Sequence, residues 1–436
     1  MKNDFLEVEA FIYGMKIGTL VIYEGLVHFE YDEMFLLKNI DISPLKLSLS
    51  DTQGTYINKD SIDIYKGLAG VFFDSLPDKH GMPFIDRYFE KKGFALKDVT
   101  ILHKLTFIAD RGLGAIEYRP KEHDNNFVVV NEIQNVKKLR EDIRDTLGDK
   151  KEYTIDSLMN IIDSASPVGG ARPKMLISFN PITNAIKYNN TSLEDGYIRS
   201  IIKFDELYPN EDGVDESIGL TKLEYVYMTM AKNCGINIAT MHLHQRDNET
   251  HLILERFDRD ANDNKIHKCS ASGLLHKDIT VAKVMSYEEL FSFTNKVCAK
   301  QSSIIELYKR MIFNALSLNL DDHAKNFEFI MDRKGNWDLS PAFDITFSKG
   351  ITKEHMTTIN GKGIDFTIED FLSIAKKNLI SESDAMKIIN VCSKELTSFK
   401  NIAESIGIES DEIENCEKEI NFQAKLIREN QSLMQL

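Results

Sequence analysis

Two carboxylates and a carboxamide in this chain are spaced for work on a phosphoryl group. The segment Asp321-Asp322-His323-Ala324-Lys325-Asn326-Phe327 sets an Asp five residues before an Asn, and Leu339-Ser340-Pro341-Ala342-Phe343-Asp344 ends a strand and turn on another Asp. In that arrangement Asp321 can accept a proton from a hydroxyl nucleophile, while Asn326 and Asp344 supply the hard oxygen ligands that magnesium takes. Asp322 competes for the role of base, but it stands only four residues from Asn326, and the five-residue spacing favours Asp321. A solvated turn also carries Asp, His and Asn, so the elements that position this loop must decide.

Those elements occur upstream in a definite order. Ser164-Ala165-Ser166-Pro167-Val168-Gly169-Gly170-Ala171-Arg172-Pro173-Lys174 leads into the apolar run 175–179, which puts a Gly-Gly loop against a strand where backbone amides can approach phosphates, though two glycines also make a plain turn. The strand-like run 197–204 carries one lysine, Lys203, placed to hold nucleotide phosphates. Residues 222–234 have helical apolar spacing and stop at Gly235; Glu224 near the start can reach Lys203 or simply complement the helix dipole. The apolar strand 251–258 ends in a charged connection, Glu255-Arg256-Phe257, where a hinge between lobes would turn backbone groups toward an adenine. A long amphipathic helix over 302–318 then delivers the chain into the Asp321 loop. Glycine loop, strand lysine, helix, hinge strand, long helix, catalytic loop and metal Asp follow the order of a protein kinase.

Composition bounds the rest. The 436 residues are 42% apolar, enough for two or three domains with real cores. Lys and Arg total 53 against 68 Asp and Glu, a net charge of -15, which opposes a direct grip on nucleic acid and leaves DNA contact to a partner. The five cysteines are scattered with no close pair, which points to a reducing cytoplasm. No apolar run approaches the ~18 residues of a membrane span, and the first residues do not resemble an export signal. Residues 6–13, 17–23 and 26–31 read as three strands of a small antiparallel sheet, and a helical pattern with Phe84, Tyr88 and Phe89 follows Leu76-Pro77-Asp78. We place an N-terminal region at 1–150, an N-lobe-like part at 151–258 and a helical C-lobe at 259–436. The expected fold class is α+β: a two-lobed, protein-kinase-like core preceded by a β-rich subdomain.

The segments 169–174, 201–203, 255–258, 321–327 and 340–344 together resemble the HipA family of bacterial serine/threonine kinases, the toxins of toxin-antitoxin systems. The N-terminal motif Phe73-Asp74-Ser75-Leu76-Pro77-Asp78 extends the resemblance over nearly the whole chain. It implies ATP and magnesium as cofactors, phosphorylation of a protein serine, with an aminoacyl-tRNA synthetase among the family's targets, growth arrest with persistence, and neutralisation by a small helix-turn-helix antitoxin that carries the complex to DNA. Carried over by position, Asp321 is the base and Asn326 and Asp344 are the metal ligands. Gly169, Gly170, Ala171, Arg172, Pro173 and Lys174 form the phosphate loop, and Lys203 holds the α/β-phosphates. Glu255, Arg256 and Phe257 bracket the adenine, with Phe343 against the nucleotide and His323, Ala324 and Lys325 lining the nucleotide-metal region. Where the family carries its self-inhibitory phosphoserine this chain has Pro167, so Ser166, and after it Ser164, are the expected autophosphorylation sites. A small-molecule phosphotransferase of the same fold and a co-repressor with incidental catalysis remain as alternatives.

Overall fold

The computed structural model describes residues 6–50, 54–60, 62–77, 81–120, 133, 136, 141, 174–189, 192–205, 207–209, 215–217, 219–246, 249–348, 353–411 and 413–421. The chain opens on β1 (Glu7–Ile12), β2 (Met15–Tyr23) and β3 (Leu26–Tyr31), as their alternating apolar residues require. Both connections are two-residue turns, Tyr13-Gly14 and Glu24-Gly25, with all four residues at positive φ, the geometry whose twist matches that of the flanking strands. Helices α1 (Glu33–Leu36), α2 (Ile62–Tyr65), α3 (Gly70–Phe73), α4 (Met82–Lys91) and α5 (Ile101–Ile108) follow. Phe84, Ile85, Tyr88 and Phe89 are the buried stripe of α4, at the expected spacing. A further strand, β4 (Ile116–Arg119), returns to pair with β1 and completes a sheet in the order β3-β2-β1-β4.

A second antiparallel sheet carries the strand lysine. It contains β5 (Lys174–Asn180), β6 (Ala185–Tyr188), β7 (Ile198–Lys203), then, past the small ladder of β8 (Leu207–Pro209) and β9 (Asp215–Ser217), β10 (Met241–Arg246) and β11 (Glu249–Glu255), in the order β10-β11-β7-β5-β6. β5 and β11 are buried along most of their length because α6 (Leu220–Asn233) and neighbouring chain cover the sheet. The expected helix at 222–234 is α6, stopped just before Gly235, whose φ of 76° ends helical geometry.

The remainder is mainly helical. β12 (His267–Ser270) leads into α7 (Ala271–Leu275), then β13 (Met285–Ser286), α8 (Tyr287–Cys298) and α9 (Gln301–Ser317). α9 is the long helix expected at 302–318; Leu318 ends it at φ 58° and turns the chain into the Asp321 loop. β14 (Glu328–Met331) pairs with β12 and with β15 (Trp337–Leu339), and β16 (Thr357–Thr358) lies parallel to β13. Helices α10 (Ile368–Lys377), α11 (Glu382–Glu395) and α12 (Phe399–Ser405) follow, and the described residues 413–421 are helical as well. Among the described residues no helix is long and apolar enough to cross a membrane.

The N-terminal sheet region is seamed to this helical part. The Trp337 indole N–H donates to the Asp41 carbonyl at 3.0 Å, and buried His267 packs edge-on against Trp337. Burial pushes the His267 imidazole down to about 4. Unfolded, it would titrate near ~6.5, so below that pH the unfolded chain binds the extra proton. Stability should therefore fall as pH drops from about 6.5 toward 4, by at most ~3 kcal/mol from this group. Urea midpoints at pH 7 and pH 5 check this: His267→Gln should show a smaller drop than wild type.

Candidate active site

Four stretches of chain meet at Lys203. β7 ends on it, α6 brings Glu224 in its first turns, the turn after β15 brings Asp344, and the loop after α9 brings Asp321 to Asn326. The Lys203 ammonium donates to Glu224 Oε1 at 2.5 Å and also to Asp344 Oδ1. Its side chain is 7% exposed and that of Glu224 2%, so the glutamate is an ion-pair partner rather than an exposed complement to the helix dipole. Burial alone would lower the Lys203 pKa; Asp344 and Glu224 outweigh it and raise the pKa above the ordinary lysine value. Burial likewise pushes the Asp344 carboxyl up, but Lys203 above all, then Lys174 and His323, hold it well below the usual carboxylate range.

Lys174 belongs to this cluster through the strand register. It faces Lys203 across the β5–β7 pair, which puts both side chains on one face of the sheet. Asp344 is held at φ 53°, a left-handed conformation that costs a non-glycine residue roughly 1–2 kcal/mol.

The two adjacent aspartates are separated by their surroundings. Asp321 has a side chain 59% exposed, whereas that of Asp322 is fully buried. Asp322 Oδ2 accepts from the Tyr287 hydroxyl at 3.0 Å and meets His355 Nδ1 at 3.1 Å, while its Oδ1 accepts from the Thr357 N–H at 3.1 Å. A carboxylate so enclosed ties α8 and the 355–357 stretch to the loop and has no access to a substrate hydroxyl. The preference for Asp321 thus gains a physical basis that spacing did not supply.

Asn326 Nδ2 donates to the Asp321 carbonyl at 2.8 Å, which closes the loop on itself and leaves the carboxamide oxygen as the ligand atom. Asn326 and Asp344 line one cavity of about 20 Å³ with Arg310, Asn314, Asn319 and Asp322, room for roughly one water. Two hard oxygen donors on one wall fit magnesium, which takes one or two protein ligands and completes its shell with phosphate oxygens and water. Among the described residues no group of three or more His, Cys, Asp or Glu forms a metal cage, so phosphate oxygens would have to share the coordination. His323 Nε2 lies 3.9 Å from Asp321 Oδ1, and its buried Nδ1 has no hydrogen-bond partner. A buried nitrogen without a hydrogen-bond partner in this loop suits a site that a ligand completes.

Other expected residues are placed less simply. The Phe257 and Phe343 rings pack against each other with centroids 5.7 Å apart, one from the hinge and one from the turn before Asp344. The Glu255 and Arg256 amides are committed to the carbonyls of Thr240 and Arg199, which leaves Phe257 as the amide of this trio not so bound. Glu255 itself bonds His242 at 2.8 Å. The Arg256 guanidinium grips Asp258 in a two-pronged pair and is structural. Ala324 is buried in the 3-10 turn, and the charge of Lys325 helps hold the Asp74 carboxyl below its usual range. Gly169, Gly170, Ala171, Arg172, Pro173, Ser164 and Ser166 lie outside the described residues. Sequence reasoning missed the partners of Asp322, because Tyr287, His355 and Thr357 stand 33 to 35 residues away with no motif of their own.

A family model for the HipA-like C-terminal domain matches residues 166–400, more than half of the chain, and spans Lys203, Glu224, Asp321, Asn326 and Asp344. The chain belongs to the HipA-like family. Its fold is that of a chain in the Shewanella oneidensis toxin-antitoxin complex of HipA, HipB and operator DNA: the TM-score is 0.69 at 16% identity, over 96% of this chain and 97% of that one. The expected α+β, kinase-like architecture is therefore the observed one. A Sinorhizobium fredii protein named "Putative kinase Y4mE" is 26% identical over 136 residues, and a Haemophilus influenzae protein named as a kinase in the same terms is 26% identical over 141. Each match takes in 29% of this chain and 32% or 40% of the relative, so the chain spans well under half the length of either.

The contrast between the aspartates is open to measurement. Asp322→Asn should cost about 2–3 kcal/mol of unfolding free energy through the buried hydrogen bonds it breaks, whereas Asp321→Asn should stay within about 0.5 kcal/mol of wild type. Urea denaturation of the two variants checks both.

Proposed function

We propose that the chain is an ATP- and magnesium-dependent serine/threonine protein kinase acting as the toxin of a bacterial toxin-antitoxin pair. The observation that carries this reading is the buried Lys203 shared by Glu224 and Asp344, beside an exposed Asp321 and the carboxamide of Asn326. Asn326 and Asp344 would hold magnesium, whose chemistry here is to neutralise phosphate charge. Lys203 would give the nucleotide phosphates a cation that Glu224 fixes in place, and Lys174 would add a second on the same sheet face. Phe257 and Phe343 would take the adenine. Asp321, solvent-facing and five residues before the metal asparagine, would accept the proton of the attacking hydroxyl.

The partner side of the proposal rests on the structural neighbour, whose complex contains HipB and operator DNA. We infer a small helix-turn-helix antitoxin for this chain, with DNA reached only through it, since a net charge of -15 repels phosphate backbones. The complex would work in the cytoplasm, at the nucleoid when antitoxin-bound. Self-phosphorylation at Ser166, or after it Ser164, would add about −1.5 to −2 charge beside the loop that must lie near ATP phosphates, and so silence the enzyme.

Transfer from γ-labelled ATP to cell-lysate proteins tests the activity. Asp321→Ala should lower it on the order of 10²- to 10⁴-fold, the usual worth of a general base. Label appearing only on small molecules would sink the protein-kinase reading in favour of a small-molecule phosphotransferase. Peptide mapping of wild type and Asp321→Ala tests the self-inhibition: phosphate should appear on Ser166 or Ser164 in the active protein alone, and its absence from both would reject that part.

A further inference from the structure

None of these roles uses the motif Phe73-Asp74-Ser75-Leu76-Pro77, yet it reaches the catalytic loop through a short chain of bonds. Asp74, which closes α3, accepts from the Ser270 N–H on Oδ2 and from the Ser270 hydroxyl on Oδ1, both at 2.8 Å. Ser270 in turn ends β12 and caps α7, its Oγ accepting from the Gly273 N–H. The next residue, Ala271, donates its N–H at 2.8 Å to the carbonyl of Phe327, which directly follows Asn326. Burial would raise the Asp74 pKa, but Lys325, then Lys268, and the two Ser270 bonds hold it below the usual range.

The contact around Asp74 is rigid for a reason visible in the glycines. A Cβ on Gly70 would come within 2.1 Å of the Gly273 carbonyl oxygen, and one on Gly273 within 2.9 Å of that of Gly70. Helices α3 and α7 therefore touch backbone to backbone. The Gly70 N–H also donates to His276 Nε2 at 3.0 Å, and His276 Nδ1, which must then carry the ring proton, donates to Asp60 at 3.0 Å. With the α3–α7 distance set by two glycines and a histidine, the Asp74 carboxylate has one fixed address.

We propose that Asp74 is a positioning residue for phosphoryl transfer: from the N-terminal part of the chain it anchors, through Ser270 and Ala271, the carbonyl of Phe327, and so fixes Asn326 and Asp321. The inference rests on the kinase reading for its rate consequence, though not for its structural one. The N-terminal sheet region is then part of the catalytic apparatus rather than an appendage to it. A residue that only glued α3 to α7 would lose stability on substitution and leave the turnover of the folded enzyme unchanged.

The test uses full-length wild type, Asp74→Asn, Asp74→Ala and Ser270→Ala, with kcat and KM for Mg-ATP measured beside hydrogen exchange over residues 301–328. Asp74→Asn keeps hydrogen-bonding capacity but weakens the charge-assisted bonds to Ser270, and should lower kcat on the order of ten-fold; Asp74→Ala should lower it on the order of 100-fold, the scale of a small misplacement of catalytic groups. KM should move far less than kcat, and exchange should rise in the Asp321 loop but not in α9. Should Asp74→Ala fail to fold, Asp74→Asn and Ser270→Ala carry the same comparison. Unchanged loop exchange in the folded variants, or full kcat with only stability lost, overturns the inference. A wild type that transfers no phosphate overturns the kinase reading instead, because the exchange comparison needs no turnover.

Discussion

An ammonium group buried between two carboxylates governs the arrangement of this protein. Taking Lys203 out of water costs several kcal/mol, which is recovered only if its partners stand in bonding geometry. Those partners come from different layers: Glu224 from the helix over the sheet, Asp344 from the turn that follows the sheet of the helical part. The cost of leaving any member alone obliges sheet, helix and turn to meet at one point. It also leaves an uncompensated negative charge, since two carboxylates face one lysine. Lys174 and His323 offset part of it, and a divalent cation with its phosphates would offset the rest.

Around that point the structure divides labour between residues of the same type. Asp321 and Asp322 are neighbours in sequence, yet the chain turns one to solvent and encloses the other among Tyr287, His355 and Thr357. The Asn314 amide continues the network by donating to the Tyr287 hydroxyl, and the Asn319 amide by donating to Asn314. Were this loop to supply both a proton acceptor and a metal ligand, as proposed, it would need such a buried floor, because an exposed loop by itself would not hold either within the fraction of an ångström that transfer requires. The N-terminal sheet region contributes to the same floor from its other side, through Asp74 and Ser270.

Much of this was legible from the residues alone. The first three strands, the helix over α6 and the long helix α9 fall within a residue or two of their expected limits, because apolar periodicity and turn glycines are local properties of the chain. The pairing of β4 with β1 was not foreseen, since Ile116–Arg119 lies about ninety residues beyond β3 and nothing local names its partner. The Lys203–Glu224 pair was within reach of reasoning about a strand lysine and a following helix. That Arg256 spends its guanidinium on Asp258 was not, because a cation's type does not say which carboxylate will be nearest.

By itself, then, the sequence determined which groups exist and their order: a lysine on a strand, an Asp and an Asn five apart, an Asp after a turn. These follow from covalent spacing and from the short-range preferences of helices, strands and turns. Only the tertiary structure decided which of two adjacent aspartates meets solvent, which lysine meets which carboxylate, and how a motif near residue 74 comes to steady a loop near residue 325. Those outcomes depend on burial and on contacts between residues tens to hundreds of positions apart, where the energy of an ion pair or a hydrogen bond is set by the surroundings that folding creates.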